Sequence, residues 1–198
     1  MQNVIKNSKL SEQALARVVV TELVAGKVVL LAFDTSYGLA ADATNQTAVN
    51  KVYQIKDRDR AKPLSIVVAD LVMAKEYCQI DKTSEKYFNK YFPGYFTLIF
   101  KTRPESPKLF TSKDSTQAIR LPDNQLLLDI SRQLGGPFTA TSANLSGQAS
   151  CYSVKDFLKQ IGSRRELVDL KVDSGLLPER AGSKIIDLTT GQAKILRD

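Results

Sequence analysis

The architecture is set by Lys27-Val28-Val29-Leu30-Leu31-Ala32-Phe33, which runs directly into Asp34-Thr35-Ser36-Tyr37-Gly38. The apolar part is rich in β-branched side chains and is typical of a buried strand, whereas the polar part predicts a loop. Hydroxyl groups at the carboxyl end of a strand often face a ligand crevice in α/β sheets, although they as often form local turns. Thr35 is therefore a candidate binding residue, with both interpretations open.

Helices and strands alternate on both sides of this strand. Ser11 is a typical N-cap for a helix that Gly26 ends, and Asp123 is expected to cap a later helix. Because the alternation has no strict βαβ rhythm, we expect an α/β protein with a twisted mixed β-sheet flanked by helices. Further helices are expected at 45–57, 70–78, 84–92 and from 153, and further strands at 64–69, 95–101, 118–121, 138–141, 167–173, 184–188 and 192–197, with a loop over 102–116.

The composition excludes several functional classes. The chain of 198 residues is expected to form a single domain, 1–198. It has no histidine, which excludes Ser-His-Asp catalysis and histidine-bearing zinc sites, and Cys78 and Cys151 form no metal-type pair. We therefore expect no protein-held metal and no disulfide scaffold. The low cysteine count makes a reducing cytoplasm the expected location. Apolar runs fall short of the roughly 20 residues of a membrane span, so we expect no membrane association.

The net charge of +7 suits an anionic partner, either a small molecule or a nucleic acid. Four cations within seven residues lie between a predicted helix and a predicted strand, where they can bind phosphate oxygens. They are Lys56, Arg58, Arg60 and Lys62. The same run contains Asp57 and Asp59, so it can equally be a solvated charged segment.

Two other segments carry polar groups in unusual places. Arg120 lies within a short predicted strand, whose interior is normally apolar, and it is either a ligand-binding group or a protective edge charge. Ser142 and Asn144 follow another predicted strand and fall on the same side of an extended backbone. Their hydroxyl and amide can orient a polar ligand or form a simple turn.

Six segments together resemble, in order and spacing, the YrdC-like family over about residues 10–197. The resemblance implies a twisted mixed sheet around a basic cavity, in the short single-domain bacterial form of the family. The segments are Asp34-Thr35-Ser36-Tyr37-Gly38-Leu39, Lys56-Asp57-Arg58 with Lys62-Pro63-Leu64, Pro93-Gly94-Tyr95-Phe96-Thr97-Leu98, Ala118-Ile119-Arg120-Leu121-Pro122-Asp123, Ser142-Ala143-Asn144-Leu145-Ser146-Gly147 and Ser183-Lys184-Ile185-Ile186-Asp187.

The activity implied by this resemblance is threonylcarbamoyl-AMP synthesis from L-threonine, bicarbonate and ATP, with Mg²⁺ accompanying the ATP. The product would pass to downstream threonylcarbamoyltransferase proteins that modify tRNA next to the anticodon, and weak tRNA binding is possible. The resemblance also implies individual roles. L-threonine would be bound by Thr35, Arg120, Ser142 and Ser183, ATP by Arg58, Lys62, Thr116, Asn144 and Arg197, and the catalytic residues would be Lys56 and Arg58.

Two departures from the family pattern bear on this assignment. Val67 stands where many members have a histidine, which bears on selectivity for threonine. Ala149-Ser150-Cys151-Tyr152 replaces a proline-containing run, which leaves open whether Tyr152 meets the nucleotide. The alternative functions are a noncatalytic RNA-binding module of the same fold and a divergent carbamoyl-transfer or hydrolytic relative.

Overall fold

The computed structural model describes residues 4–106 and 114–198, which form two mixed β-sheets with helices packed against them. The part of the expected 102–116 loop that spans 107–113 lies outside the described residues. The strands are β1 (Val4–Lys6), β2 (Val29–Ala32), β3 (Tyr37–Ala40), β4 (Ile66–Val67), β5 (Phe96–Lys101), β6 (Thr116–Arg120), β7 (Phe138–Thr139), β8 (Thr141–Ser142), β9 (Leu170–Asp173), β10 (Lys184–Asp187) and β11 (Lys194–Arg197). The α-helices are α1 (Glu12–Val24), α2 (Gln46–Lys56), α3 (Leu71–Tyr77), α4 (Lys82–Tyr91), α5 (Gln125–Leu134) and α6 (Val154–Ile161).

The first sheet has the strand order β1-β9-β2-β3-β8, and its three inner strands, β9, β2 and β3, are buried. Side chains of β2 alternate between the faces, as the pleat of a strand requires. Val29 and Leu31 belong to a core cluster with α1 and α5, while Leu30 belongs to a second cluster with α2 and α6. This two-sided burial explains why the strand is an uninterrupted apolar run.

The second sheet has the strand order β11-β10-β5-β6-β4-β7. Backbone pairing joins β7 of this sheet to the segment that follows β3 of the first sheet, since the amide of Thr139 donates to Ala41 O at 2.8 Å and Phe138 forms an antiparallel bridge with Asp42. β6 runs antiparallel to β5, and β10 runs parallel to β5. The carboxyl end of β6 therefore lies beside the amino ends of β5 and β10, and this edge faces the first sheet.

The expected α/β class with mixed pairing is confirmed, although the strands are divided between two sheets rather than held in one. The prediction of a loop over 34–38 was wrong for Tyr37 and Gly38, which begin β3 and pair with β2. The reversal is tight, because the amide of Phe33 donates to Ser36 O at 2.9 Å. An added Cβ at Gly38 would lie 2.5 Å from the Phe33 ring, so only glycine fits there.

Two smaller findings concern helix ends and membrane association. Ser11 caps α1 as expected, but α5 is capped by Asn124 rather than by Asp123, because the Asn124 side chain accepts from the amide of Leu127. Within residues 4–106 and 114–198, none of the helices has the length and apolar character that crossing a membrane requires. Cys78 and Cys151 are buried free thiols.

Candidate active site

A cavity of about 220 Å³ lies where the ends of strands from both sheets meet. The first sheet contributes Thr35, which follows β2, and Ser142 at the end of β8. The second sheet contributes Arg120 at the end of β6 and Ser183 just before β10. Four sites that are distant in the sequence are thus brought to one recess by the topology.

The cavity is strongly basic. Its walls carry four arginines, and among the described residues that line it there is no carboxylate. Burial lowers the pKa of the Arg58 guanidinium and that of Arg197, the latter further lowered by the charge of Arg120. Arginine nonetheless stays protonated at neutral pH, so the recess is suited to an anionic ligand. The four arginines are Arg58, Arg120, Arg180 and Arg197.

Arg120 forms a buried ion pair with Asp34. Its Nη2 donates to both carboxylate oxygens, at 2.7 Å to Oδ1 and 2.8 Å to Oδ2. Only 7% of the Arg120 side chain and 4% of the Asp34 side chain are exposed to solvent. A buried arginine needs such a partner, because an uncompensated charge out of water is strongly destabilising.

Hydroxyl groups form the rest of the polar wall. The hydroxyls of Thr97 and Ser183 lie 2.7 Å apart, and Arg197 Nε donates to the Ser183 carbonyl at 3.0 Å. Thr35 and Ser183 are buried in the wall, and Ser142 is half-buried. These hydroxyls can donate or accept, so they can orient the polar groups of a ligand whose charge the arginines balance.

Lys56 lies beneath the cavity, with 2% of the residue exposed, and its ammonium holds the 142–144 loop. It donates to the carbonyl of Ser142, to the carbonyl of Asn144 at 3.0 Å and to Asn144 Oδ1 at 2.9 Å. Ser142 Oγ also donates to Asn144 Oδ1, at 2.6 Å, and Asn144 Nδ2 donates to Gln148 O at 2.6 Å. Burial lowers the pKa of Lys56 to about 7.

The segment after α2 presents Arg58 to the cavity. Its guanidinium donates from Nε to the carbonyl of Lys62 at 3.2 Å and from Nη2 to that of Pro63 at 2.9 Å. The left-handed backbone of Asp57, with φ of 50°, ends the helix and allows this turn. The charged run is therefore a folded turn rather than a loose segment, although the side chain of Lys62 is exposed.

The sequence-predicted site residues divide into two groups. Six of them line the cavity: Thr35, Arg58, Arg120, Ser142, Ser183 and Arg197. Four do not: Lys56, Lys62, Thr116 and Asn144. Thr116 begins β6, about 13 Å along the strand from Arg120 at the usual rise per residue.

Among the residues of the site that were not identified from the sequence, three make the contacts described here: Asp34, Thr97 and Arg180. Asp34 and Thr97 stand inside segments that the sequence analysis quotes, so their position next to a strand end was an available signal. Arg180 had none. It lies in the irregular segment between β9 and β10, where its guanidinium sits 5.3 Å from the Tyr95 ring centre and its carbonyl accepts from Tyr152 Oη at 2.9 Å.

The two departures have clear structural positions. Val67 is fully buried and pairs with Arg120 in the sheet, while its side chain packs in the core. Tyr152 supports the segment that carries Arg180, through its hydroxyl and through its carbonyl, which accepts from the amide of Leu177 at 2.9 Å.

The fold and the basic recess between two sheets define the class of the protein. A family model described as "Telomere recombination" matches residues 21–198, and the chain belongs to this family, which comprises Sua5, YciO and YrdC proteins.

Named relatives share most of the chain. A Mus musculus protein named threonylcarbamoyl-AMP synthase is 37% identical over 188 residues, which cover 91% of this chain and 65% of that protein. The chain thus spans less than two thirds of this relative's length. A Vibrio vulnificus (strain YJ016) protein of the same name is 31% identical over 153 residues, covering 76% of this chain and 82% of that protein.

A solved structure has the same fold. The crystal structure of P. abyssi Sua5 complexed with L-threonine superimposes with a TM-score of 0.85 at 25% identity, and the match covers 100% of this chain and 57% of that one.

Proposed function

We propose that the chain is a threonylcarbamoyl-AMP synthase, which converts L-threonine, bicarbonate and ATP into threonylcarbamoyl-adenylate and pyrophosphate. The observation that carries the proposal is the gathering of four arginines and several hydroxyl groups in one recess between the sheets. The names of the mouse and Vibrio relatives, and the threonine complex of the P. abyssi protein, support it.

The chemistry requires cations and alignment more than a covalent nucleophile. The threonine amine attacks the carbon of bicarbonate, and loss of water leaves a carbamate. A carbamate oxygen then attacks the α-phosphorus of ATP, and the bond to the β-phosphoryl oxygen breaks to release pyrophosphate. Both reactants are anionic, so charge repulsion and misalignment form much of the barrier. A site without histidine can supply what this reaction needs.

The lining residues suit the two ends of such a reaction. Arg120 would bind the threonine carboxylate, with hydroxyl contacts from Thr35, Ser142 and Ser183. Arg58 and Arg197 would neutralise the phosphates, because guanidinium groups match phosphate geometry. Hydrogen bonds from these charged donors in a sheltered recess would strengthen as negative charge is transferred to the leaving group.

The four predicted residues outside the lining need a separate account. Lys56 would act by holding the 142–144 loop, and its predicted catalytic role would then be one of positioning. Asn144 would reach ATP only by exchanging a hydrogen bond to Lys56 or Gln148 for one to the nucleotide. Lys62 and Thr116 stay predictions as ATP contacts.

Magnesium would enter as part of the ATP substrate. Within the described ranges, no group of three or more Asp, Glu, His or Cys side chains is placed to hold a metal ion. The triphosphate oxygens would therefore carry the Mg²⁺, whose charge would add to that of the arginines. We further propose that this single domain works in the cytoplasm, that its product passes to tRNA-modifying threonylcarbamoyltransferases, and that it binds tRNA weakly.

Pyrophosphate release tests the proposal directly. Purified protein is incubated with ATP, Mg²⁺, bicarbonate and L-threonine, and each component is omitted in turn. We expect release that needs both threonine and bicarbonate and that falls sharply in Arg58→Ala. Arg132→Ala is the matched control, because Arg132 is half-exposed on α5 and pairs with Asp129 outside the cavity. No release under any condition, together with salt-sensitive tRNA binding, would favour the RNA-binding alternative instead.

A further inference from the structure

Arg120 contacts Asp34 through a single guanidinium nitrogen. A forked contact would use two nitrogens of the guanidinium and lock its plane against the carboxylate. Here a single nitrogen, Nη2, serves both oxygens of Asp34. Asp34 therefore fixes only the Nη2 end of the guanidinium, and the rest of the group can rotate about this contact.

The Nε of Arg120 is the second observation. It is buried, and none of the described residues accepts a hydrogen bond from it. A buried donor without an acceptor is unfavourable, so native proteins rarely keep one without a reason. A ligand acceptor that engages this N–H would remove that cost on binding.

Electrostatics explain why Arg120 needs an anionic neighbour at this position. Arg197 lines the same cavity, and the charge of Arg120 lowers the pKa of Arg197, so the two cations lie close enough to repel each other. Asp34 offsets that repulsion. Without it, the positive charge of Arg120 would be uncompensated in the cavity wall.

We propose that Asp34 is a positioning residue for amino-acid recognition, an anchor about which Arg120 turns its Nε edge towards the ligand carboxylate. This inference rests on the proposed function, in which Arg120 binds the carboxylate of L-threonine. Asp34 itself does not touch the reacting atoms. It sets the affinity for the amino acid and leaves the phosphoryl chemistry to the other cations.

The first test compares steady-state kinetics of Asp34→Asn and Asp34→Ala with the wild type, at saturating ATP and bicarbonate. We expect KM for L-threonine to rise about 10-fold in Asp34→Asn and further in Asp34→Ala, with kcat and KM for ATP within about 2-fold of the wild type. The matched control is Asp129→Asn, which removes the charge from a surface Asp–Arg pair on α5. Its kinetic constants should not change.

The opposite outcome overturns the inference. If Asp34 competes with the substrate for Arg120, its removal lowers KM for threonine. If Asp34 is only structural, kcat falls and KM for ATP rises along with KM for threonine, whatever the change in melting temperature. An unchanged KM for threonine in a folded Asp34→Asn protein equally refutes a positioning role.

A second measurement uses the wild-type protein, so it does not depend on the folding of a variant. In protein labelled with ¹⁵N-arginine, the Arg120 Nε–H signal, assigned by its loss in Arg120→Lys, should shift when L-threonine is added. An unmoved signal at saturating threonine refutes the inference even where pyrophosphate release is threonine-dependent. A protein that neither binds threonine nor releases pyrophosphate refutes the proposed function itself.

Discussion

The Nζ of Lys56 lies 2.9 Å from Oδ1 of Asn144, so the last residue of α2 holds the loop that follows β8. The two residues are 88 positions apart in the sequence. The contact joins the charged turn at Arg58 to the hydroxyl of Ser142, which are two sides of the same cavity. The position of the loop is therefore fixed from below by a buried cation.

Replacing this lysine should impair catalysis as well as lower stability. In Lys56→Met the apolar stem is kept, but the acceptors on Ser142 and Asn144 lose their shared donor, so we expect the free energy of unfolding to fall by about 1–3 kcal/mol. Displacement of the loop should lower kcat/KM about 100-fold. Urea unfolding and pyrophosphate release measure the two effects. Lys86→Met, at an exposed position on α4, is the control. If Lys56→Met and Lys86→Met lost the same amount of unfolding free energy and of kcat/KM, the prediction would be contradicted.

The contribution of Lys56 to stability should depend on pH. Its pKa is about 7 in the folded protein and near the ordinary 10.5 when unfolded, so between these values the unfolded chain binds more protons. The Lys56 contribution then rises with pH from about 7 upwards and is constant below. We expect the difference in unfolding free energy between wild type and Lys56→Met to shift in favour of the wild type from pH 6.5 to pH 9. A constant difference would mean that the lysine keeps its ordinary pKa.

Arg197 should contribute to nucleotide binding without being needed for folding. It lies on the exposed edge strand β11, and its guanidinium reaches back to Ser183. Arg197→Ala removes a charged donor from the cavity, so KM for ATP should rise about 10- to 100-fold while the melting temperature changes little. Lys194→Ala on the same strand should leave both unchanged. An unaltered KM for ATP in Arg197→Ala would refute a role for Arg197 in phosphate binding.

Gly38 should tolerate no side chain. A Cβ at this position would lie 2.5 Å from Cδ2 and Cε2 of Phe33, so in Gly38→Ala either the ring or β3 must move. We expect a loss of about 1–3 kcal/mol in unfolding free energy, measured by urea denaturation. Gly136→Ala is the control, because its added Cβ would come no closer than 3.7 Å to any other side chain. Equal stability of the two variants would show that the hairpin adapts.

The parts of the fold that depend on local pattern could be predicted from the sequence. The apolar run around Leu30 predicts a strand buried on both faces, and Ser11 predicts the start of α1. Asp123 and Asn124 show the limit of such reasoning. Both are good capping residues, and only the backbone conformation decides which of two neighbours caps the helix.

The parts that depend on distant contacts could not be predicted. β3 is a strand because it pairs with β2 and β8. Tyr37 favours a strand, but Gly38 and Ala40 do not, so the local pattern alone did not predict it. The pair of Asp34 and Arg120 spans 86 positions, so no spacing rule connects them. Resemblance to the family pointed to six residues that do line the cavity, but it gave no sign that Lys56 lies beneath it.

The recess draws its walls from both sheets, and this has a thermodynamic consequence. Thr35 and Ser142 lie on the side of the first sheet and Arg120 and Ser183 on that of the second, while backbone hydrogen bonds link the two sheets near β7. A bound anion that contacts all four residues would link the two sheets. Because the anion binds only when the two sheets are correctly placed against each other, its binding should raise the melting temperature and slow amide exchange on both β6 and β8.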